Sequence, residues 1–319
     1  MNILMMAVND PAGTGIGFCR AVNRLGRHTC RMVTLETRYT HSWPKDLHVP
    51  DLDQDGLAEL ERLLKTSDVF HFHMTADEHL RLGPFSPKDY LPGKAIVHHE
   101  HGHHDFRSNP ELFREKYRSL GRKSLLVSTP DLKRMMPEAR WQPNLVHQDA
   151  PTLRPVKRVW TGPLRLAHSP TRKDLKNTDE LLAVVGGLRA EGLGLELDLI
   201  DNVPHGECLE RKGACHALFD HMQGYYGVSS LEGLSQGLAV VAGLDDWNLA
   251  HVAEFAGVPQ AELPWLLAHD AQGLDLCLRA LAADLDHCRA VGEASRRFVE
   301  RSWSEAKVAG QLCDFWDTL

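Results

Sequence analysis

The run Gly224-Tyr225-Tyr226-Gly227-Val228-Ser229-Ser230-Leu231-Glu232-Gly233-Leu234-Ser235-Gln236-Gly237, continuing into Leu238-Ala239-Val240-Val241-Ala242-Gly243, constrains the fold more than any other part of the chain. It reads as a glycine turn, a short helix with one carboxylate near its start, a glycine stop and a buried apolar strand. A helix start among small residues leaves backbone N–H groups open, which suits phosphate. A carboxylate at that place cannot hold phosphate, but it accepts hydrogen bonds from sugar hydroxyls. Phosphate and ribose at one helix start describe a nucleotide or a nucleotide-sugar.

The flanking sequence repeats this alternation. Residues 1–8 are strand-like, Asn9 to Gly17 is a turn of small residues, Phe18 to Leu25 is helical, and Thr29 to Leu35 is a second strand. Strands follow at Val69 to His73, Ala95 to His99 and Ser124 to Ser128, with helices over Leu57 to Leu64 and Pro110 to Leu120. Pro151, Pro155 and Pro163 mark a linker. A second series starts at Leu164 to His168, with a helix over 178–191, a strand over 195–200, a helix near 206–213, the motif helix, the strand 238–242 and a helical tail. At 319 residues the chain suits two domains of ~150 each. Ligands of such sheets sit at the carboxyl ends of the strands.

The bulk numbers exclude several classes. A net charge of −7 argues against general nucleic-acid or anionic-membrane binding. No apolar run reaches the ~20 residues of a membrane span. The N-terminus reads as a strand, not a signal peptide. Seven scattered cysteines without a C-x-x-C pair read as free thiols, so a cytoplasmic location is expected.

Two loops join the motif as binding candidates. His168-Ser169-Pro170-Thr171-Arg172-Lys173-Asp174-Leu175-Lys176-Asn177-Thr178-Asp179 lies between a strand and a helix. Arg172 and Lys176 offer two cations on one loop, a clamp for a diphosphate. The competing reading is a solvated basic turn with Asn177 or Thr178 as helix cap. Asn202 to Glu207, with His205, follows another strand and is placed to touch a nucleobase.

These residues resemble the nucleotide-sugar-binding domain of glycosyltransferases with the GT-B fold, in particular the retaining family 4. Gly227 matches the second glycine of that family's Gly-aromatic-Gly, Glu232 its second glutamate, and Gly237 with Val240-Val241 its end. The segment around Arg172 and Lys176 looks like the family's phosphate-binding Arg and Lys. Ala294 to Glu300 with Trp303-Ser304 looks like its closing stretch. The match spans roughly residues 160–245. Gly224 stands where the family has its first glutamate, so recognition of the donor's sugar is not carried over. Ala239 replaces a proline. The resemblance implies that Glu232 holds ribose hydroxyls; without it, Glu232 is a carboxylate favoured by the helix dipole.

Eight of the 19 histidines lie between residues 71 and 104: His71, His73, His79, His98, His99, His101, His103 and His104. One reading is a metal site, although the H-x-H-x-D-H order of metallohydrolases is broken because Asp105 follows His104. A second is an acceptor-side catalytic loop: His101-Gly102 after Ala95-Ile96-Val97 resembles the histidine loop that in the family faces the donor sugar. A third gives the rings no special role. His101 is the catalytic candidate of the cluster, with His103, Asp105 and Arg107 as acceptor-side candidates. Gly13, Gly15 and Gly17 resemble a dinucleotide fingerprint only superficially; under the family reading Gly15 lets the backbone approach the donor.

The expectation is therefore an α/β chain of GT-B type, two doubly wound Rossmann-like domains facing across a cleft. Residues 1–155 form the acceptor side, 156–302 the nucleotide-sugar side, and 303–319 a helix returning to the first domain. The activity expected is transfer of a sugar from a nucleoside-diphosphate donor to a saccharide, lipid-linked or other hydroxyl acceptor, with the retention that the resemblance implies. His101, Arg172 and Lys176 are the catalytic candidates. Gly15, His168, Arg172, Lys176, His205, Gly227, Val228, Ser229 and Glu232 are the donor-binding ones. No metal and no cofactor beyond the donor are expected. The alternatives are an epimerase or hydrolase of nucleotide-sugars, a non-catalytic nucleotide-sugar-binding protein, and a histidine-metal hydrolase.

Overall fold

A computed structural model describes residues 1–37 and 44–319. The chain divides into two compact units, Met1–Leu145 with Glu305–Leu319, and Val146–Ser304. In the first unit the strands are β1 (Asn2–Ala7), β2 (Thr29–Thr34), β3 (Leu47–His48), β4 (Val69–His73), β5 (Ala95–Glu100), β6 (Ser124–Val127) and β7 (Arg140–Trp141). They alternate with helices α1 (Thr14–Leu25), α2 (Gln54–Thr66), α3 (His104–Ser108), α4 (Pro110–Ser119) and α5 (Pro130–Met135). The second unit holds β8 (Leu164–His168), α6 (Thr178–Ala190), β9 (Leu195–Leu199), α7 (His205–Gly213), β10 (Ala217–Phe219), α8 (Val228–Ser235), β11 (Ala239–Ala242), α9 (Asp246–Ala256), β12 (Trp265–Leu267), α10 (Ala271–Ala283) and α11 (Leu285–Ser302). The last helix, α12 (Glu305–Trp316), belongs to the first unit, where Glu305 pairs with Arg24 and Asp314 with Arg27 of the α1 end.

The first sheet has the order β3-β2-β1-β4-β5-β6-β7 and the second β12-β11-β10-β8-β9. All the strand pairs are parallel. Such strands are covered by helices on both faces and read as apolar runs, as Leu-Leu-Val of β6 and Ala-Val-Val-Ala of β11 do. The order reverses beside β1 in the first sheet and beside β8 in the second. At such reversals the loops leave in opposite directions and open a crevice at the carboxyl ends.

The cores follow from this layering. In the second unit, Leu164, Leu166, Ala217, Phe219 and Val241 of the strands pack against Leu181, Val185 and Leu188 of α6 and Leu274, Leu278 and Leu281 of α10. In the first, Leu4, Met6, Val33, Phe70 and Phe72 pack against Leu60, Leu63 and Leu64 of α2. The i, i+3, i+4 spacing on α2 is the apolar stripe of an amphipathic helix.

No described helix is long and apolar enough to cross a membrane.

Candidate functional site

The crevice of the second unit lies between the loops that follow β8 and β10. The β8–α6 loop carries Arg172 and Lys176, and the β10–α8 loop carries Asp220 to Gly227. Asp220, the first residue after β10, organises the turn. Its Oδ2 accepts hydrogen bonds from Gly227 N–H at 2.6 Å and Ser230 Oγ at 2.8 Å, and its Oδ1 from Lys176 Nζ at 2.8 Å. Burial pushes the Asp220 pKa up. The neighbouring His221, the Lys176 ammonium and the Gly227 N–H together outweigh burial and hold the group well below the usual carboxylate range. A Cβ at position 227 would stand 2.9 Å from Lys176 Nζ and 3.0 Å from Asp220 Oδ2, so a larger residue there would displace the Lys176–Asp220 pair.

The turn delivers the chain into α8 with Gly227 as N-cap and no side-chain cap. Val228 and Ser229 are the first two helical residues, so their N–H groups have no partner within the helix. They carry the positive end of the helix dipole. Lys176 Nζ has one of its three donor positions on Asp220 and is 21% exposed, leaving donors for an anion. An anion bound there thus has two backbone donors and one ammonium.

Glu232 is held on the other side of this helix start. Its Oε1 lies 2.8 Å from His205 Nε2 at the start of α7, and its Oε2 accepts from Lys212 Nζ at 2.6 Å. Lys212 also donates to Ser229 Oγ at 3.0 Å, and Ser229 Oγ lies 3.1 Å from Ser169 Oγ of the β8 loop. Burial pushes Glu232 up, but the Lys212 charge and the His205 contact bring it down to about 2. The Lys212 ammonium is pushed down by burial and, on balance, raised by the facing carboxylate. Each carboxylate oxygen has two lone pairs, so two acceptor positions on Glu232 are left for hydroxyls.

The remaining donor-side candidates take up different positions. His168 ends β8 and is buried; its Nδ1 lies 3.0 Å from the Phe219 carbonyl and its Nε2 2.8 Å from Thr178 Oγ1. The carbonyl only accepts, so Nδ1 carries the proton and the Thr178 hydroxyl donates to Nε2. The ring ties β8, β10 and α6 together, and burial lowers its pKa to about 4. Arg172 is exposed and forms a two-point pair with Asp174 at 2.9 and 2.5 Å. Gly15, in the first unit, gives its N–H to Asp10 at 3.1 Å, and the next N–H, of Ile16, also goes to Asp10. A Cβ at position 15 would meet Met32 Cε at 2.6 Å, so a larger residue there needs the end of the Met32 side chain to move.

Gly224 has φ +87, a region that a glutamate enters only under strain. Its carbonyl accepts from Asp245 N–H at 2.8 Å. The backbone conformation itself accounts for the glycine at the position where the resemblance has a glutamate.

In the first unit, strand alternation puts His71 and His73 of β4 and His99 and His101 of β5 and its exit on one face of the sheet. His73 Nδ1 lies 2.9 Å from His101 Nε2 and His71 Nε2 3.3 Å from His99 Nδ1. Burial lowers the His101 pKa to about 4, so the ring is neutral near pH 7. His98 and Glu100 point to the opposite face, where Tyr117 Oη donates to Glu100 Oε1 at 2.5 Å and burial pushes Glu100 up to about 7. His103 accepts from Asp105 N–H at the start of α3, and Asp105 is exposed. Arg107 donates to Gly102 O and to Asp131 Oδ2, the latter at 2.7 Å, holding the loop after His101. Each of these contacts lies inside the first unit.

The sequence does not single out Lys212 and Asp220, which hold the start of α8 and Glu232 in place. For Asp220 a signal exists: a carboxylate directly after the short apolar run Ala217-Leu218-Phe219, seven residues before Gly227. For Lys212 there is none, since a lysine in the last turn of a helix is ordinarily solvated.

No protein-family model matches the chain, and no curated protein matches it in sequence. Its fold does have likenesses among solved structures. Sucrose-phosphate synthase of Thermosynechococcus elongatus superposes with a TM-score of 0.60 at 12% identity, over 100% of this chain and 99% of that one. The N-terminal domain of trehalose-6-phosphate phosphatase of Candida albicans gives 0.59 at 7% identity, over 99% and 96%. The O-GlcNAc transferase of Thermobaculum terrenum gives 0.51 at 16% identity, over 100% and 67%. At these identities the likeness establishes the fold: two Rossmann-like domains of GT-B type.

Proposed function

We propose that the protein is a glycosyltransferase that moves a sugar from a nucleoside-diphosphate donor to an acceptor hydroxyl, in the manner of the retaining family 4. One observation carries the reading. In the second unit an uncapped helix start, the Lys176 ammonium and the Glu232 carboxylate converge at the carboxyl ends of a parallel sheet. Phosphate-binding donors beside a hydroxyl-binding carboxylate fit a nucleoside diphosphate better than an inorganic anion, which the carboxylate would repel. Two of the solved structures with this fold are a sucrose-phosphate synthase and an O-GlcNAc transferase.

The chemistry asked of these residues is charge stabilisation. As the bond from sugar to phosphate breaks, negative charge grows on the diphosphate and positive charge on the sugar. The Val228 and Ser229 N–H groups and Lys176 are fixed donors toward the first, and they need no reorganisation during the step. Arg172 adds a second cation once it exchanges Asp174 for phosphate. Glu232 accepts ribose hydroxyls and fixes the donor's orientation. His101, neutral at pH 7, orients the acceptor hydroxyl or stabilises the reacting sugar. The step uses no cofactor beyond the donor and no metal ion for leaving-group stabilisation.

A thermal-shift screen of UDP, GDP, ADP and TDP and their sugars tests the reading. A ligand at 100 times its dissociation constant adds about 2.7 kcal/mol of stability. Stabilisation by a diphosphate, with turnover of its sugar only when an acceptor is present, supports transfer. Turnover without acceptor marks an epimerase or hydrolase, and binding without turnover a non-catalytic protein. Failure of all the nucleotides to bind removes the proposal.

A further inference from the structure

The buried histidines of the first unit are not explained by hydrogen bonding among themselves. His71, His73 and His99 are 0%, 2% and 1% exposed. A neutral imidazole has one N–H and one lone pair. In the His71–His99 contact, whichever ring donates, one lone pair and one N–H remain on the two outer nitrogens. Among the described residues those atoms, His71 Nδ1 and His99 Nε2, are buried without a hydrogen-bond partner, and so is His73 Nε2. An ion held by the inner nitrogens, His71 Nε2 and His99 Nδ1, replaces only their long contact and leaves these outer atoms as they are, so the clustering of ring nitrogens, not the orphans, points to a metal.

We infer that His71, His73 and His99 bind one divalent transition-metal ion of the zinc class. One ring nitrogen from each lies within 4.8 Å of the others. Tetrahedral coordination with metal–nitrogen bonds of about 2.0–2.1 Å sets the donors roughly 3.3 Å apart. The His71 Nε2 to His99 Nδ1 separation is 3.3 Å, long for a hydrogen bond and right for two ligands on one ion. His73, whose ring stacks on that of His71 with centroids 4.6 Å apart, joins as the third ligand only after its ring rotates out of that stack. A water molecule fills the fourth position, and His101 stays outside the coordination sphere.

The donor set selects the metal. Three imidazoles without a carboxylate suit zinc, cobalt, nickel or copper and exclude magnesium and calcium, which take oxygen ligands. The ion would join the carboxyl ends of β4 and β5 and brace the His101–Gly102 turn that leaves β5. This bracing goes beyond the transferase reading and is independent of it, since the phosphate-binding groups lie in the other unit.

Cobalt(II) titration of the metal-stripped full-length protein tests the site. One ion per chain, with the intense visible bands of four-coordinate cobalt and displacement by zinc, is expected. His71→Asn and His99→Asn should each weaken binding at least 100-fold, while His104→Asn, an exposed histidine outside the group, should leave it unchanged. Absence of stoichiometric binding, or equal loss in the His104→Asn control, overturns the site. Should the buried variants fail to fold, X-ray absorption on the zinc-loaded wild type decides: three imidazole shells at about 2.0–2.1 Å support the site, and fewer than three overturn it.

Discussion

Lys212 Nζ lies 2.6 Å from Glu232 Oε2, and the two side chains are 1% and 9% exposed. A buried charge pair of this kind contributes little net stability, yet removing one partner strands the other. Lys212 also donates to Ser229 Oγ, so one ammonium fixes both the carboxylate and the second residue of the helix start.

This relationship separates two effects of substitution. Lys212→Met should destabilise the protein by about 3–5 kcal/mol, because it leaves an uncompensated buried carboxylate. The double change Lys212→Met with Glu232→Leu should recover most of that loss. Glu232→Ala should weaken nucleoside-diphosphate binding by about 1.5–3 kcal/mol through the lost charged acceptor. Denaturant melts read the first two outcomes and calorimetry the third; equal affinities for wild type and Glu232→Ala would take Glu232 out of the site.

Lys176→Ala and Arg172→Ala should lower turnover more than they weaken donor binding. Negative charge on the leaving diphosphate is greatest in the transition state, so cations that face it act most strongly there. Lys176 is already aimed by Asp220, whereas Arg172 must first leave Asp174, so the larger loss is expected for Lys176→Ala. Wild-type turnover of both variants at saturating donor would reduce the loop to a basic turn.

Stability should fall with acid in two stages. His168 is buried and neutral with a pKa near 4, while in the unfolded chain it titrates at about 6.5. The unfolded state therefore takes up the proton first, and stability is lost as pH falls from about 6.5 to 4. The shift is worth roughly 3 kcal/mol. Glu232 has a depressed pKa near 2, so its contribution is present above about 4.5 and is lost as pH falls toward 2. Glu100 runs the opposite way: its pKa is raised to about 7, so it disfavours the fold as pH rises from about 4.5 through 7. Urea midpoints between pH 3 and 8 should show a gentler rise for His168→Asn. They should show more stability on the alkaline side for Glu100→Gln, relative to its own acid value.

The sheets were legible in the sequence because buried parallel strands are unbroken apolar runs. Val69 to His73 and Leu164 to His168 are strands over the residues expected. The strands over Ala217–Phe219 and Trp265–Leu267 were not, since three residues carry no period. The motif helix could be read from its glycines, but its supports could not. Lys212 and Asp220 reach α8 across distances in sequence that no local pattern encodes, and the pairing of His168 with Phe219 and Thr178 follows from strand order. The alternation His71-x-His73 and His99-x-His101 was visible, whereas the β4–β5 register that sets the pairs side by side needed the structure.

The final prediction concerns His101. It belongs to the first unit and is a neutral ring bonded to His73, while the groups proposed to hold the nucleotide all belong to the second. His101→Ala should therefore leave nucleoside-diphosphate affinity unchanged and lower sugar transfer by about 10² or more, the usual worth of a positioned stabilising group. Because His73 and His101 share a hydrogen bond, the variant must also be checked for folding, and a thermal midpoint close to wild type is the control. Excess chelator should leave both donor binding and transfer in place, since Lys176 and the α8 start carry the charge of the leaving group and the ion inferred at His71, His73 and His99 has only a bracing role. Complete loss of transfer on chelation, restored by zinc, would move that ion into the chemical step and replace this mechanism with metal catalysis. Transfer by His101→Ala at the wild-type rate would remove His101 from the reaction and leave the nucleotide site standing.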